Sequence, residues 1–386
     1  MHTHYDYIIT GAGCAGLSLL YRMMQQDFFE NKKILVIDQA PKKNNDRTWC
    51  FWEASEGVFE KIVHHSWKQI DFFSSNFSAR FDIVPYTYKM IRGIDFYQYV
   101  LNEANQHSNI HFEYGNVKAI VNGENNIAKV FFEDKTYTCD YIFNSIILQQ
   151  HGADKIKSKY YYLQQHFKGW LIETPTAIFN DAVATFMDFR VSQQKGTSFI
   201  YMLPVAPNKA LVEYTLFSPA ILPQYEYEEV LKQYIKNTLN IDIFTILGEE
   251  FGSIPMTNFP FSEGDCAIVN IGTAGKQTKA SSGFTFQFIQ KHSDAIINAV
   301  IAGRDPHLHT AFTQKRFALY DSTLLNILHH KKMGGDKIFE VLFKKNPPQR
   351  ILRFLDNETN LMEELKLMST VPVDVFLPAA MNELFR

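Results

Sequence analysis

The order of hydrophobic and polar positions along the chain predicts a mixed α/β protein that begins with a βαβ unit. Residues 7–10 form a short β-rich apolar run, and residues 33–38 form a second one that ends in an acid. Between them, Leu17, Leu20 and Met23 recur at helical spacing. A strand, a helix and a strand in this order are typical of two parallel strands joined by a crossover helix.

Later segments predict a second set of strands and further helices. The predicted strands cover residues 111–118, 127–133 and 137–144, which resemble a β-meander, and residues 184–191, 197–204 and 209–217, which predict a separate antiparallel sheet. The predicted helices cover residues 91–105 and 225–239, and residues 310–386 are mostly helical in pattern.

The turn after the first strand carries a G-x-G-x-x-G motif at residues 11–16. Gly11 permits a tight turn, Gly13 lets the backbone approach a pyrophosphate, and Gly16 lets the helix pack close to the sheet. The helix N-terminus offers unpaired N–H groups to an anion. Asp38 closes the second strand, where a carboxylate can accept hydrogen bonds from a ribose. We therefore predict a dinucleotide site, and Asp38 disfavours a 2′-phosphate in it.

A second glycine turn lies far down the chain. A strand predicted over residues 265–271 runs into Gly272-Thr273-Ala274-Gly275, and Gly283 precedes a helix that extends through residue 301. This arrangement is typical of an FAD fold closing over its own flavin, with the helix N-terminus aimed at the pyrimidine end of the ring.

Composition narrows the classes of function. The 386 residues include 38 basic and 41 acidic ones, so no excess of positive charge is present for binding nucleic acid. Aromatic residues make up 15%, which favours an apolar cavity or partner. The four cysteines lack metal-ligand spacing, so we expect reduced thiols and no metal site. With no signal peptide and no long apolar span, the sequence predicts a cytoplasmic protein.

Several sequence blocks resemble the lycopene cyclase family, the carotenoid-ring-forming flavoproteins of bacteria and plants. The blocks are Arg47-Thr48-Trp49, residues 91–96, residues 165–170, residues 186–189 ahead of 199–204, Val212-Glu213-Tyr214-Thr215, and residues 271–275 with 282–286. The resemblance covers the chain from Tyr5 to about Leu355.

The resemblance implies a Rossmann-type FAD-binding domain of the glutathione-reductase or hydroxylase kind, an antiparallel-sheet substrate domain and a helical C-terminal region. The predicted segments are 1–75 and 76–165 for the first parts of the FAD-binding domain, 166–255 for the substrate sheet, 256–305 for the closing FAD segment and 306–386 for the helical region.

The implied activity is that of a lycopene beta-cyclase, an isomerase that closes the linear ends of lycopene into β-ionone rings, giving γ-carotene and β-carotene. FAD must be reduced, with NAD(P)H as electron donor, but it is not consumed. A proton added near the chain end gives a tertiary carbocation, which the neighbouring double bond attacks. Reduced flavin beneath the ring would stabilise the cation.

The family's proton donor lies in an L/I-E-x-T segment, which matches Glu213 here. Many relatives carry a second acid directly after it, whereas this chain has Tyr214, which places a paired-carboxylate arrangement in doubt. Asp188 is the second candidate catalytic carboxylate. It could tune Glu213, or it could pair with Arg190, and the sequence leaves both alternatives open.

The predicted cofactor-binding residues come from the glycine turns and the family blocks. They are Gly11, Gly13, Gly16, Asp38, Arg47, Arg92, Gly272, Thr273, Gly275 and Gly283. For Arg47 and Arg92, contacts with the cofactor and surface salt bridges are both open. His166 could accept a proton, but packing or capping by this residue is the stronger hypothesis.

Two other functions remain as alternatives. The first is an FAD-dependent NAD(P)H monooxygenase or dehydrogenase with an apolar substrate, and the second is a non-catalytic carotenoid or flavin carrier. Because lycopene resides in the bilayer, we also expect peripheral attachment to a membrane surface through exposed aromatics or an amphipathic C-terminal helix, to which residues 371–385 could contribute.

Overall fold

The computed structural model describes residues 3–147, 159–308 and 312–385, with side chains from residue 315 onward in the last range. Parts of the predicted segments 76–165 and 306–386 therefore lie outside the described residues.

The described strands run in chain order from β1 to β18. Their bounds are β1 Thr3–Thr10, β2 Ile34–Asp38, β3 Thr48–Glu53, β4 His65–Trp67, β5 Gln69–Phe73, β6 Ser78–Asp82, β7 Thr87–Arg92, β8 Ile110–Tyr114, β9 Val117–Asn122, β10 Ala128–Phe132, β11 Lys135–Asn144, β12 Tyr162–Glu173, β13 Val183–Asp188, β14 Thr197–Ala206, β15 Lys209–Ser218, β16 Thr245–Thr257, β17 Gly264–Asp265 and β18 Ile268–Asn270.

The described α-helices connect these strands and then form the C-terminal region. They are α1 Cys14–Met24, α2 Gly93–Ala104, α3 Gln224–Asn237, α4 Phe286–Ile301, α5 Phe312–His329, α6 Gly335–Lys345, α7 Pro348–Leu355, α8 Leu361–Met368 and α9 Val373–Leu384. Among the described residues, no helix has the length and apolar character that crossing a bilayer would need.

The first sheet confirms the predicted βαβ unit. Its strand order is β17-β18-β11-β1-β2-β8, and β1 runs parallel to β2 and β11. The strands β9, β10 and β11 pair antiparallel as the expected meander. The strand predicted over residues 111–118 is divided into β8 and β9, which belong to different parts of this sheet.

The second sheet forms the wall on which the candidate site lies. Its order is β16-β12-β15-β14-β13-β5-β6, with β12 paired antiparallel to both β15 and β16. The three strands predicted for this lobe are present as β13, β14 and β15. The sequence missed the long strands β12 and β16 and the contribution of β5 and β6, which come from residues 69–82. The domain division stays a prediction.

Helices α1 and α4 pack together beneath the first sheet. Arg22 of α1 is buried and donates hydrogen bonds to Asp294 at 2.5 Å and to Gln290 at 2.9 Å, both on α4. A buried guanidinium is stabilised only when its donors are paired, so these contacts hold α1 and α4 together. Because each helix follows one of the glycine turns, the two turns are held in one layer. The turns precede α1 and α4 and therefore face the same region.

Gly16 is the position at which this layer approaches the strand most closely. A Cβ on Gly16 would lie 1.9 Å from the Gly11 carbonyl oxygen, whereas a Cβ on Gly13 would meet no atom within 4 Å. Packing therefore requires a glycine at position 16, whereas the space beside Gly13 is open.

We expect Gly16→Ala to lower the free energy of unfolding by about 1–3 kcal/mol, because a backbone overlap outweighs the better helix propensity of alanine. The matched control is Gly13→Ala, which we expect to cost less than about 1 kcal/mol as a change of N-cap residue. Chemical denaturation of both variants without added cofactor measures the difference. Equal stabilities would contradict this account of the turn.

Candidate functional site

A cavity of about 660 Å³ extends from the first glycine turn to the second sheet. One end is lined by the two glycine turns, including Gly11, Gly13 and Gly272. The other end is lined by side chains of β12, β14, β15 and β16, including Glu213 and Glu250. The cavity therefore joins the predicted dinucleotide site to the predicted proton donor.

The glycine end has the properties of an anion site. Gly11 has a φ of +96° and Gly272 a φ of +60°, in the left-handed region that favours glycine. A Cβ on Gly272 would lie 2.8 Å from the Cβ of Ala15, so the second turn closes directly onto the start of α1. Gly13 caps α1 without a side chain, and Cys14 and Ala15 line the cavity. The first N–H groups of α1 can therefore bind a phosphate.

Asp38 lies on the same wall and is held in place. Its carboxylate accepts hydrogen bonds from the Ala12 amide at 2.5 Å and from Lys42 at 3.1 Å. The carboxylate thus stands beside the glycine turn, where the ribose of a dinucleotide would lie.

Two buried polar atoms in the middle of the cavity have no hydrogen-bond partner among the described residues. They are Oε1 of Gln165 and Oγ of Ser282, whose residues are 7% and 5% exposed. A Cβ on Gly283 would lie 2.1 Å from Gln165 Oε1, so this glycine makes room for the amide. Buried polar groups are normally paired, so these atoms fit a ligand with a polar edge, such as the pyrimidine part of a flavin. The residues present therefore fit FAD.

Hydroxyl groups line the path between these polar atoms and the second glycine turn. Thr273, Thr278 and Thr285 form a chain of hydroxyl contacts at 2.9 and 2.7 Å, and Thr285 precedes α4. Gly275 is not on the cavity wall and instead packs against the Asn270 carbonyl.

Glu213 lies on β15 and faces the cavity. In the register of β14 and β15 it stands opposite Tyr201, and its Oε1 accepts a hydrogen bond of 2.7 Å from Thr215. Residues two apart share one face of a strand, which explains the E-x-T spacing: the threonine fixes the carboxyl of the glutamate.

A second carboxyl, that of Glu250, meets Glu213 across the central strand. Gly169 of β12 pairs with Glu213 on one side and with Glu250 of β16 on the other. A Cβ on Gly169 would lie 3.0 Å from Glu250 Cγ and 3.2 Å from Glu250 Oε1. The missing side chain of Gly169 thus lets the two carboxyls approach each other over the strand. We call Glu213 and Glu250 the carboxyl pair.

The hydrogen bonds of the carboxyl pair leave one buried oxygen of Glu250 without a donor among the described residues. Glu250 is 7% exposed, and its Oε2 accepts a hydrogen bond of 2.7 Å from Thr48. Its Oε1 is buried with no donor among the described amide, hydroxyl and amino groups. The carboxyl of Glu213 is near enough to influence the pKa of Glu250, and when protonated it can supply the hydrogen that Oε1 lacks. Two ionised carboxylates at this separation would repel each other.

Burial and mutual repulsion favour that protonated state. Desolvation, followed by the charge of Glu250, raises the pKa of Glu213 well above its usual value. Desolvation also raises the pKa of Glu250, but the Thr48 hydrogen bond, Glu213 and the charge of Arg47 oppose the shift. Both carboxyls therefore have raised pKa values, and the pair binds a proton more tightly than a free glutamate does.

The groups around Glu213 itself are neutral or apolar. Cys50, Tyr88 and Tyr201 face it, and burial raises the pKa of each of these side chains. Leu203 and Leu211 complete the wall. Such surroundings disfavour the ionised form of Glu213 and suit a carboxyl that donates a proton.

The two predicted arginines differ in position. Arg47 lies on the cavity wall next to Thr48, and Arg92 is not on that wall. Arg92 forms an ion pair with Asp95 at 2.6 and 2.7 Å, which is the salt bridge that the sequence left as an alternative.

Asp188 is not brought to the carboxyl pair. In the second sheet Asp188 pairs with Ile200, and Ile200 pairs with Tyr214. Paired residues lie on one face of a sheet, and Tyr214 directly follows Glu213, so this face is the one away from Glu213. Asp188 is fully buried, pairs with Arg190 at 2.6 Å and accepts a hydrogen bond of 2.7 Å from Tyr234 of α3. The structure thus favours the alternative of a pair with Arg190, and it places Asp188 in the scaffold.

His166 also faces α3. Its ring nitrogens contact Ser218 at 2.7 Å and Tyr227 at 2.5 Å, and desolvation lowers its pKa to about 4. It is packed, as the stronger sequence hypothesis expected, and it is not on the cavity wall.

Sequence reasoning missed Glu250 and the role of Gln165. Glu250 lies in an edge strand whose residues are largely exposed or half-buried, so hydrophobic periodicity gave little signal there. The signal that could have found it is the alternation of side-chain direction along a strand. Glu249 points away from the cavity and pairs with Lys168 at 3.1 Å, so Glu250 must point into the cavity.

Comparisons with known sequences identify the family of this chain. The model of the family described as lycopene cyclase protein matches residues 6–381. A lycopene beta-cyclase from Pantoea ananas is 23% identical over 404 residues, which cover 99% of each chain.

Solved structures confirm the predicted fold class. A geranylgeranyl bacteriochlorophyll reductase-like protein from Thermoplasma acidophilum has a TM-score of 0.64 and 12% identity, covering 100% of this chain and 99% of that one. The flavin-dependent brominase Bmp2 has a TM-score of 0.63 and 12% identity, covering 95% and 98%. At these identities the likeness concerns the fold alone, that of Rossmann-type flavoproteins. Because the family model spans nearly the whole chain, the protein belongs to the lycopene cyclase protein family.

Proposed function

We propose that the protein is a lycopene beta-cyclase, which closes the linear ends of lycopene into β-ionone rings without net oxidation or reduction. The observation that carries the proposal is the carboxyl of Glu213, which lies on the cavity wall with its pKa raised by burial. Family membership supports the assignment. The apolar end of the cavity suits a hydrocarbon substrate.

In the proposed reaction Glu213 donates its proton to the double bond near the end of the polyene. Thr215 holds the carboxyl in one orientation, so that the proton is delivered to one carbon. The leucine and tyrosine side chains around it keep water from the cation, which would otherwise be captured as an alcohol.

The glycine turns and the unpaired polar atoms would hold the flavin. Gly11, Gly13 and Gly272 suit its phosphates, and Gln165 and Ser282 suit its polar edge. Reduced FAD, when bound, would supply an electron-rich ring that stabilises the cation. Supply of the electrons by NAD(P)H belongs to the same proposal.

Attachment to a membrane surface is also part of the proposal, because the substrate is a bilayer hydrocarbon. Helix α9 exposes Val373, Leu377, Met381 and Leu384, which recur on one helical face and are each 44–61% exposed. Helix α8 adds a further exposed cluster around Leu365. Soluble proteins rarely expose a contiguous apolar face of this kind, and a helix with such a face binds at the lipid interface.

We expect Glu213→Gln to reduce ring formation by at least about 10²–10⁴-fold, because the amide cannot donate an acidic proton. The measurement is conversion of lycopene under anaerobic conditions with chemically reduced enzyme, and flavin content is the control for folding. Near wild-type turnover by the variant would remove Glu213 from its role. Stoichiometric loss of NADPH with oxygen uptake by the wild type would favour a monooxygenase instead.

The raised pKa of Glu213 also predicts a pH dependence of stability. The folded state keeps a proton that the unfolded carboxyl loses above about pH 4.3, so this group makes the fold less stable as the pH rises. Glu213→Gln removes that contribution. Relative to wild type, the variant should gain stability between about pH 5 and pH 8, by at most about 1.4 kcal/mol per pH unit. If the free energies of unfolding of the two proteins changed with pH in parallel, Glu213 would instead be ionised in the folded state.

For the membrane surface, we expect Leu377→Glu to weaken binding to liposomes at least about tenfold, since one leucine side chain contributes about 1.5–3 kcal/mol on burial. Asn382→Glu is the matched control, because it adds the same charge at another exposed position of α9. Flotation with phospholipid vesicles measures both. Equal losses in the two variants, or no binding by the wild type, would contradict the proposal.

A further inference from the structure

The ring closure proposed above releases a proton, and the acceptor of that proton is a separate question from its donor. The reaction adds one proton to the polyene and removes one from the new ring, so an economical site holds an acid and a base side by side. We propose that Glu250 is the base that accepts the ring proton, and that the carboxyl pair then returns this proton to Glu213. The inference rests on the proposed function.

The cavity wall offers few other bases at this position. Besides the carboxyl pair, the described titratable groups that face Glu213 are Cys50, Tyr88 and Tyr201. They are neutral hydroxyl and thiol groups and poor bases. His166 and Asp188 lie on the opposite face of the sheet. Asp46, a further carboxylate on the cavity wall, accepts a hydrogen bond of 2.9 Å from Tyr97 and acts on Glu250, not on Glu213. Glu250 is therefore the described carboxylate that lies beside Glu213 and can accept a proton there.

The contacts of Glu250 suit a base better than an acid. Thr48 donates a hydrogen bond to Oε2, and the positive charge of Arg47 stabilises the ionised form more than the negative charge of Asp46 opposes it. Glu213 likewise accepts a hydrogen bond from a hydroxyl, that of Thr215, but no described cation acts on it, and desolvation with the charge of Glu250 favours its neutral form. Two like groups in unlike surroundings divide the roles of donor and acceptor between them.

The steps balance without any further reactant. The O–H bond of Glu213 breaks as its proton forms a C–H bond at the terminal double bond, which leaves a cation on the adjacent carbon. The electron pair of the neighbouring double bond forms the ring bond and moves the cation into the ring. A ring C–H bond then breaks, its electrons form the ring double bond, and the proton goes to Glu250. Transfer from Glu250 to Glu213 over Gly169 restores the starting state.

The position of the ring double bond tests this assignment, because the base decides which hydrogen the ring cation loses. In Glu250→Met the acid remains but the base is absent, so the cation must lose a proton elsewhere or revert. We expect turnover to the original ring to fall at least about 100-fold. We expect the residual products to carry the double bond at a neighbouring position, or the recovered lycopene to carry deuterium at its terminal double bond after incubation in D₂O.

Two further variants complete the test. Glu249→Gln is the matched control, since Glu249 is half exposed and pairs with Lys168 on the other face of the sheet. It should behave as wild type. Glu250→Asp keeps a carboxylate and should restore part of the original product. Flavin binding and thermal stability report folding in each case.

The assignment would be overturned if Glu250→Met formed only the original ring, whatever its turnover rate. It would also be overturned if the variant formed no ring and the recovered lycopene carried no deuterium. In these outcomes the wild type still cyclises lycopene, so the proposed function stands. Failure of the wild type itself to form rings would count against the proposed function instead.

Discussion

The approach of two carboxyls over Gly169 is the constraint on which the chemistry of this site depends. Placing Glu213 and Glu250 on the two strands that flank β12 would leave them apart if any side chain stood between them. With a glycine there, the two carboxyls lie side by side on a wall where the positive charge of Arg47 acts on Glu250 and no described cation acts on Glu213. When both carboxyls of such a pair ionise at high pH, their repulsion destabilises the fold. Unfavourable interactions of this kind are common at functional sites.

The rest of the architecture serves to place this pair at the end of a dinucleotide cavity. The two glycine turns meet where Gly272 closes onto α1, and Arg22 ties α1 to α4. The opposite face of the second sheet is held by its own charged and polar groups: Asp188 accepts a hydrogen bond from Tyr234, and Lys168 forms an ion pair with Glu228, both on α3. The polar groups of the scaffold and those of the site are thus separated by the sheet.

Local signals in the sequence predicted the parts of the fold and site that depend on local chemistry. The glycine spacing around Gly13 and the acid at Asp38 each follow from the geometry of one turn or one strand, whereas Glu213 was predicted from the resemblance to the lycopene cyclase family. Glu250 could not be found in this way, because its role comes from a register between strands distant in sequence. The role of Asp188 was undecided for a related reason: the face it occupies depends on the irregular pairing of β13 with β14. Strand β16 was missed because an edge strand with exposed residues has no clear hydrophobic alternation.

The central claim is that the carboxyl pair retains a proton at neutral pH. Infrared difference spectroscopy of wild type against Glu213→Gln at pH 7 to 8 tests it most directly. The account predicts a protonated carboxyl stretch in the wild type that disappears in the variant and shifts in D₂O. A difference spectrum that contains only ionised carboxylate bands would contradict it.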